Sequence, residues 1–336
     1  MEGGADLTVA VLCRNRPDYL REMLRSLRLA SDQPFDIAIR DHSDGDICAR
    51  VVVDFANENP AWNVEHLHPE PRGQRENILG AVAGCSTEFL MIINDDDLCQ
   101  PSFIDLLLAP LRSSSAIGFA SGNVICVDRA AQEITRMRNL RFTETRRISL
   151  TSTLERARFH IVDRLLQPFM GTIFRTEVLR GLVLPVEAAT LPDLWLSRHM
   201  VDQEVDGWCS NEIVFSYRVH GESVASEAKD LAGYRWSMMQ FLDDEIFAPF
   251  RDALRNTLRE YERMTFLGYF VSGDRSPGTV HEILERNSSG SALKQQIMRV
   301  ALKRPFSSLT CRYLAMVNPR FGETRNLKRS GQETGR

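Results

Sequence analysis

The first half of the chain alternates short apolar runs with stretches of amphipathic spacing. The apolar runs, typical of strands buried in a parallel sheet, cover residues 8–13, 35–40, 63–68 and 88–94. Between them, apolar residues recur on one helix face, as Leu20, Met23, Leu24 and Leu27 do after Pro17. Because alternating strands and helices need crossover connections, the pattern predicts an α/β fold whose mostly parallel sheet is flanked by helices.

The second half continues this pattern and then changes. Further helices are predicted over 74–85, 103–111, 149–167 and 193–200, and further strands over 117–127, 169–175 and 212–220. Ser149 or Thr151 is expected to cap the 149–167 helix. From residue 228 to about 270 the spacing is helical throughout. This change predicts one domain over residues 1–226 and a helical C-terminal extension over 227–336.

The cysteines and the N-terminus bear on the compartment. Seven cysteines are scattered over 336 residues without a close pair in sequence, which argues against a disulfide framework and against a zinc ribbon. The first residues lack the basic and apolar regions of a signal peptide, and no apolar run approaches membrane-spanning length. We therefore expect a cytoplasmic protein.

The net charge of −4 hides an asymmetry between the body of the chain and its tail. From Gly290 onward the chain has ten Lys and Arg residues and two Glu residues. The tail therefore carries a net charge of +8 and the preceding residues carry −12. The negative sign argues against nucleic-acid binding by the main body. The tail also has apolar residues at 292–302 and 307–317, a composition suited to an anionic membrane surface. The alternative is an amphipathic pair packed on the main domain or in a homodimer.

A strongly acidic segment follows the strand at 88–94. Phe89 to Ile93 are apolar and lead through Asn94 into Asp95, Asp96 and Asp97, which we call the acidic triplet. Open α/β sheets bind ligands at the carboxyl ends of their strands. Adjacent carboxylates repel one another unless a cation relieves them, and such hard oxygen ligands suit Mg²⁺ or Mn²⁺ holding a phosphate. The alternative is a solvated acidic turn.

Other polar side chains follow the neighbouring strands. Asn15 and Arg16 follow the first strand, Asp41 follows the second, and residues 72–77 precede the 74–85 helix. The chain has neither the Gly-x-Gly-x-x-Gly pattern of dinucleotide binding nor a Gly-rich phosphate loop with Lys-Ser/Thr. The set therefore suits a nucleoside diphosphate held by a cation.

In their order along the chain, these segments resemble glycosyltransferase family 2, whose members have the Rossmann-like GT-A fold. Residues 8–20 resemble its opening strand, polar loop and helix, with Cys13-Arg14 where the pattern often has Thr-Tyr. Residues 40–44 resemble its Asp-x-x-Ser motif, 72–77 its Gly and Arg-Asn loop, and the acidic triplet with Pro101 its DxD element. The resemblance covers about residues 7–224.

The resemblance implies a nucleotide-sugar-binding half over 1–112 and an acceptor half over 113–226. It assigns the donor to Cys13, Asn15, Arg16, Asp41, Arg72, Arg75, Asn77, Asp95, Asp96 and Arg218, with Asp41 facing the nucleobase. It assigns a divalent cation, Mn²⁺ or Mg²⁺, to Asp96, Asp97 and His220. Two registers of the DxD element remain open, Asp95 with Asp97 or Asn94 with Asp96.

Two further segments match the acceptor half of the family. Residues 192–198 resemble its Glu-Asp…Leu…Arg element, with Pro192 in place of Glu, so Asp193 inherits the role of general base in an inverting reaction. The alternative is that Asp193 caps a helix. Residues 217–223 resemble its Tyr-Arg-x-His segment, where Arg218 neutralises leaving-group charge. His220 completes the metal shell, contacts the diphosphate or is a structural residue.

The expected function is transfer of a sugar, with inversion, from a nucleoside-diphosphate sugar to a hydroxyl acceptor. By the resemblance, the acceptor is a cell-surface polysaccharide or a lipid-linked glycan, and attachment to the inner membrane face is peripheral. One rival is a sugar nucleotidyltransferase, although no Gly-rich basic loop follows the first strand. Another is a catalytically silent binding or scaffold protein, since Asn94 and Pro192 depart from the family pattern.

Overall fold

In a computed structural model of the protein, the described residues are 5–71, 73–135, 140–166, 168–188, 192–219 and 231–272. The strands within them are β1 (Leu7–Cys13), β2 (Asp36–Asp41), β3 (Val64–Leu67), β4 (Phe89–Asn94), β5 (Leu98–Cys99), β6 (Ile117–Val127), β7 (Arg146–Ile148), β8 (Thr172–Arg175) and β9 (Asp206–Arg218). The helices are α1 (Pro17–Arg28), α2 (Ala49–Glu58), α3 (Gln74–Gly84), α4 (Phe103–Ser113), α5 (Thr153–Ala157), α6 (Pro192–Asp202), α7 (Leu231–Asp243) and α8 (Arg251–Ser272). The expected α/β class is confirmed.

One sheet contains all nine of these strands, in the order β3-β2-β1-β4-β8-β6-β9-β5, with β7 paired to β9. The strands β3, β2, β1 and β4 are parallel to one another. Cys13 lies opposite Asp41, and Leu12 lies opposite Asn94. Because these parallel strands end at the same level, the residues that follow β1, β2 and β4 meet at one edge of the sheet.

The alternation of side chains along the central strands divides the core between two faces. Val9 and Val11 of β1 point to the face that α1 covers, where Leu20 and its neighbours are fully buried. Ala10 and Leu12 point to the opposite face, which α3 covers. Full burial of a leucine such as Leu20 contributes about 1.5–3 kcal/mol. This packing on both faces fixes the strand ends that carry the polar residues.

Antiparallel pairs occur in the second half of the sheet. Strand β8 runs antiparallel to both β4 and β6, and β9 pairs antiparallel with β5 and β7 but parallel with β6. The apolar runs in the sequence predict that these strands exist but do not predict their direction. Strand β9 also begins at Asp206, earlier than the predicted 212, because its first residues pair with β6 through an irregular register.

The predicted helix over 149–167 is much shorter in the structure. It comprises α5 and a π-helical turn over Arg158–Val162. The cap is Ser152, rather than Ser149 or Thr151: its hydroxyl accepts from the Glu155 N–H at 3.2 Å, and the Glu155 carboxylate accepts from the Ser152 N–H at 3.0 Å. This reciprocal pair is a capping box.

Beyond β9 the chain contributes to two compact units. The first comprises Met1–Val219 and Trp236–Arg251, and the second comprises His220–Arg235 and Asp252–Arg336. In the first unit Trp195 stacks on Trp236 and donates from Nε1 to Ser237 Oγ at 2.9 Å, so Trp195 is a packing residue. The predicted boundary at 226 and the basic tail fall on residues outside the described ranges. No helix in the part of the chain that the structure describes has the length and apolar character needed to span a membrane.

Candidate active site

The acidic triplet lies at the edge where β1 and β4 end. The backbone N–H of Asp95 donates to the Leu12 carbonyl at 3.0 Å, and the Arg14 N–H donates to Asp95 Oδ2 at 3.0 Å. The exposed fractions of Asp95, Asp96 and Asp97 are only 0%, 8% and 1%. The triplet is therefore not the solvated turn that was the alternative from the sequence.

Arg16 pairs with two of the three carboxylates. Its Nη2 lies 2.5 Å from Asp95 Oδ1, and its Nη1 pairs with Asp96 Oδ2. Burial raises the pKa of Asp95 to about 6, although the positive charge of Arg16 opposes this rise. The Arg16 guanidinium thus supplies positive charge to two of the three buried carboxylates.

Asp97 has one oxygen that is not satisfied by protein groups. Its Oδ1 accepts from the Arg218 N–H at 2.9 Å, whereas its buried Oδ2 has no hydrogen-bond partner among the described residues. Burial, reinforced by the charge of Asp96, raises the pKa of Asp97. A buried oxygen without a partner costs free energy. A divalent cation would relieve this cost, so the donor set fits Mg²⁺ or Mn²⁺.

Asp41 and Asn15 connect the loops after β2 and β1. The Ser43 N–H donates to Asp41 Oδ1 at 2.8 Å, and His66 Nε2 lies 3.1 Å from Asp41 Oδ2. Burial opposes ionisation of Asp41, but the hydrogen bonds from Ser43 and His66 hold its pKa below the usual value. The Asn15 N–H donates to Ser43 Oγ at 2.7 Å, and the Asn15 side chain exchanges two hydrogen bonds with Asp44.

Cys13 and Cys48 meet beside Asp41, with their Sγ atoms 3.4 Å apart. The sequence predicted a role for Cys13 but not for Cys48 or for His66. Cys48 lies 35 residues from Cys13 and His66 lies 25 residues from Asp41. No sequence spacing indicates these contacts, because only the pairing of β1, β2 and β3 creates them.

Three other predicted donor residues have protein partners of their own. The Arg75 Nε donates to the Leu184 carbonyl at 2.5 Å. Asn77 is buried and exchanges hydrogen bonds with Arg40 at 2.8 and 3.1 Å. Arg218 is 1% exposed, and its guanidinium donates to Glu22 and to the Arg129 carbonyl and stacks over Tyr19. Their contact with a donor stays a prediction, and Arg72 and His220 lie outside the described residues.

Asp193 is the second residue of α6. Its side chain is reached by solvent, yet the surrounding protein desolvates it and raises its pKa. The charge of Arg164 and a hydrogen bond from the Leu194 N–H oppose this rise. The Leu194 N–H belongs to the next residue of α6, whereas an N-cap carboxylate accepts from an N–H two or three positions further on.

Comparison with known proteins gives the family and the fold. Residues 8–175 match the model of the family described as glycosyl transferase family 2. No curated protein matches the chain.

Among solved structures, TarS residues 1–349 of S. aureus in complex with UDP-GlcNAc match with a TM-score of 0.54 and 16% identity, covering 88% of this chain and 79% of that one. Mannosyltransferase PcManGT from Pyrobaculum calidifontis, in complex with GDP-Man and Mn²⁺, matches with a TM-score of 0.54 and 14% identity, covering 97% and 84%. The chain spans 53% of the longer S. aureus TarS structure. At these identities the structural matches show the fold alone.

The family match begins at β1 and ends at β8, so it includes the acidic triplet, Arg16 and Asp41. It covers half of the chain. The two solved structures share its fold at TM-scores of 0.54. The chain therefore belongs to glycosyl transferase family 2 and is a glycosyltransferase with the GT-A fold.

Proposed function

We propose that the protein binds a nucleoside-diphosphate sugar and a divalent cation at the carboxyl ends of β1, β2 and β4, and transfers the sugar with inversion to a hydroxyl acceptor. The observation that carries this proposal is the buried acidic triplet, in which Arg16 is the cation paired with Asp95 and Asp96 and Asp97 keeps an oxygen without a partner. Three carboxylates buried this deeply need more positive charge than one guanidinium supplies.

Asp96 and Asp97 are the residues that would hold Mn²⁺ or Mg²⁺. When bound, the cation stabilises negative charge on the leaving diphosphate. His220 stays a proposed third ligand, from outside the described residues. Both TarS and PcManGT were solved with nucleotide sugars, and PcManGT with Mn²⁺, which supports a donor of the same class here.

Arg16 and Asp41 are proposed to contact the two ends of the donor. With Asp96 engaged as a cation ligand, the Arg16 guanidinium would be free to pair with the diphosphate, for which its planar fork is suited. Asp41 keeps a low pKa and therefore remains a hydrogen-bond acceptor at neutral pH, as recognition of a nucleobase N–H requires. Cys13 and Asn15 are proposed to contact the nucleobase end of the donor as well. Arg75, Asn77 and Arg218 are proposed to shape this part of the site through the contacts described above.

Asp193 is proposed as the general base. Its raised pKa makes the carboxylate a better proton acceptor than an ordinary aspartate, and its side chain is open to solvent. Attack by the deprotonated hydroxyl on the anomeric carbon expels the nucleoside diphosphate and inverts that carbon. A nucleotidyltransferase gains no support from the family match, and a catalytically silent role is tested by the turnover assays below.

The acceptor is proposed to be a polysaccharide or a lipid-linked glycan, with the basic tail from Gly290 in contact with an anionic membrane surface. The test is flotation of the full chain with anionic vesicles and with neutral vesicles, and of a variant that ends at residue 289. We expect flotation of the full chain with anionic vesicles alone. Equal recovery of the full chain and the shortened variant with the vesicles would contradict the membrane contact. If the full chain is a dimer and the shortened variant a monomer, the tail belongs to a homodimer interface.

Thermal unfolding in the presence of candidate donors tests the donor site. Because a ligand that binds only the native state raises the unfolding temperature, UDP- and GDP-sugars are compared with Mn²⁺ and with a chelator. We expect one nucleotide class to raise the melting temperature only with Mn²⁺, and Asp97→Asn to abolish the rise. Asp202→Asn, which removes an exposed carboxylate paired with Arg198, is the matched control and should behave as wild type. Absence of a shift with every donor would contradict the proposal.

A further inference from the structure

A second group of metal-ligand side chains lies beside the donor site. One ligand atom each from Cys13, Asp41 and Cys48 lies within 4.8 Å of the other two, and all three residues are buried. Cys13 ends β1 and Asp41 ends β2 directly opposite it, while Cys48 immediately precedes α2. The fold thus brings together two thiols that the sequence keeps far apart.

A candidate fourth ligand, His66, contacts one member of this group, Asp41. His66 Nε2 lies 3.1 Å from Asp41 Oδ2, and its side chain is 18% exposed, so it connects the buried group to solvent. One ligand atom each from His66, His68 and Asp41 likewise lies within 4.8 Å of the other two. Asp41 is thus the residue that the two groups share, and a cation bound by all four residues would draw the His66 ring toward the two sulfurs.

We propose that Cys13, Cys48, Asp41 and His66 form a binding site for a thiophilic divalent cation, with Zn²⁺ as the preferred ion. Tetrahedral coordination by sulfur, nitrogen and oxygen is characteristic of zinc. Zinc–sulfur bonds of about 2.3 Å place two sulfurs about 3.8 Å apart in a tetrahedron. The observed separation of 3.4 Å needs only a small adjustment.

Thiolate formation is also favoured at Cys48. The partial positive charge of a helix N-terminus stabilises a thiolate there. The hydrogen bond from Cys13 lowers the pKa of the Cys48 thiol to about 7, and the same bond, together with burial, raises the pKa of the Cys13 thiol. The acidic triplet offers oxygen ligands alone, so the two sites select different metals: hard cations at the triplet and soft cations at the cysteines.

The shared residue Asp41 gives this site a consequence for activity, which rests on the proposed function. A carboxylate that ligates zinc is no longer free to accept a hydrogen bond from a nucleobase. Zinc and the nucleotide donor therefore compete for Asp41, and zinc inhibits transfer competitively with respect to the donor. Excess Mn²⁺ does not relieve this inhibition, because it binds oxygen ligands elsewhere.

Cobalt spectroscopy tests the site independently of activity. The full-length protein, kept reduced with a phosphine, is titrated with Co²⁺ and then with Zn²⁺. We expect a near-ultraviolet thiolate-to-cobalt charge-transfer band together with intense visible bands of tetrahedral Co²⁺, saturating at one equivalent and lost on addition of Zn²⁺. Mg²⁺ in large excess should leave both sets of bands unchanged. Co²⁺ bound by the oxygen ligands of the acidic triplet gives no thiolate band.

Cys48→Ser should abolish the thiolate band. Cys85→Ser is the matched control, because Cys85 is also buried but contacts threonine hydroxyls rather than a second thiol. Absence of the band in wild type, or its persistence in Cys48→Ser, overturns the proposal. The wild-type titration decides even where the variant folds poorly. If the donor site is wrong, the band remains and only the competition with donor is lost.

Discussion

The guanidinium of Arg16 lies 2.5 Å from the carboxylate of Asp95, across the point where the strand order of the sheet reverses. Arg16 follows β1 and Asp95 follows β4, and these strands are parallel neighbours. The same guanidinium pairs with Asp96. Under the proposed function, a metal ion at the triplet would need the place of this guanidinium, so its binding would require the Arg16 side chain to move.

Removal of Arg16 should strengthen metal binding in the absence of donor. In Arg16→Gln the competitor for Asp96 is lost, and we expect the affinity for Mn²⁺, measured by calorimetry without nucleotide, to rise about tenfold because an opposing charge is removed. Arg198→Gln is the control, since Arg198 pairs with Asp202 and Asp244 away from the triplet. Unchanged or weaker Mn²⁺ binding by Arg16→Gln would show that Arg16 does not compete with the cation.

Replacement of Asp193 should separate binding from turnover. Asp193→Asn keeps the size of the side chain but removes the proton acceptor, so we expect turnover to fall by about two to four orders of magnitude. Donor affinity should remain within about twofold of wild type, because the base acts on the acceptor hydroxyl. Product formation and donor binding are measured on the same preparation, with Asp202→Asn on the same helix as control. Undiminished turnover would remove Asp193 from this role.

Asn77 should contribute to stability through Arg40. Asn77→Ala leaves the Arg40 Nε without its acceptor in a buried position, and we expect a loss of about 1–3 kcal/mol in the free energy of unfolding. Asn77→Asp restores an acceptor for Nε but not the N–H that Asn77 donates to the Arg40 carbonyl, so it should recover only part of this loss. Denaturant unfolding of both variants is the measurement. Equal stability of Asn77→Ala and wild type would argue that Asn77 is kept for the donor instead.

Acid should destabilise the protein through His160. This side chain is 1% exposed, and burial lowers its pKa from 6.5 to about 3, with the charge of Arg156 adding to the effect. Below pH 6.5 the imidazole of His160 becomes protonated in the unfolded chain but stays neutral in the folded chain. The contribution of His160 to the free energy of unfolding is therefore present above pH 6.5 and is lost as the pH falls. Between pH 7 and pH 5 this loss is about 2 kcal/mol.

The corresponding measurement compares wild type with His160→Gln by urea unfolding at both pH values. The variant should lose about 2 kcal/mol less than wild type on acidification, because glutamine does not titrate. Identical pH dependence of the two proteins would mean that His160 is protonated in the folded state.

The sequence predicted the part of the fold that depends on local pattern. β1 and β4 begin within one residue of their predicted starts because uninterrupted apolar runs define them. The predicted helix over 149–167 was too long, because the apolar spacing continues past the π-helical turn, which ends at Val162. The direction of β8 depends on how it returns to the sheet, which no local spacing specifies.

The sequence likewise predicted some residues of the candidate site but not the contacts between them. Asp41 and the acidic triplet were found from their places after strands, and Arg16 was expected near the donor. The pairing of Arg16 with Asp95 and the meeting of Cys13 with Cys48 depend on contacts between residues 79 and 35 positions apart. Such contacts exist only after the sheet has formed, so single-sequence spacing does not reveal them.

The proposed cation at the acidic triplet, bound to the donor diphosphate, can be observed in a crystal of the protein soaked with Mn²⁺ and a nucleoside diphosphate. We expect an anomalous manganese peak in contact with Asp96 or Asp97 and with a phosphate oxygen, with the Arg16 side chain moved off Asp96. A triplet without manganese, with Arg16 still paired to both carboxylates beside a bound nucleotide, would contradict it.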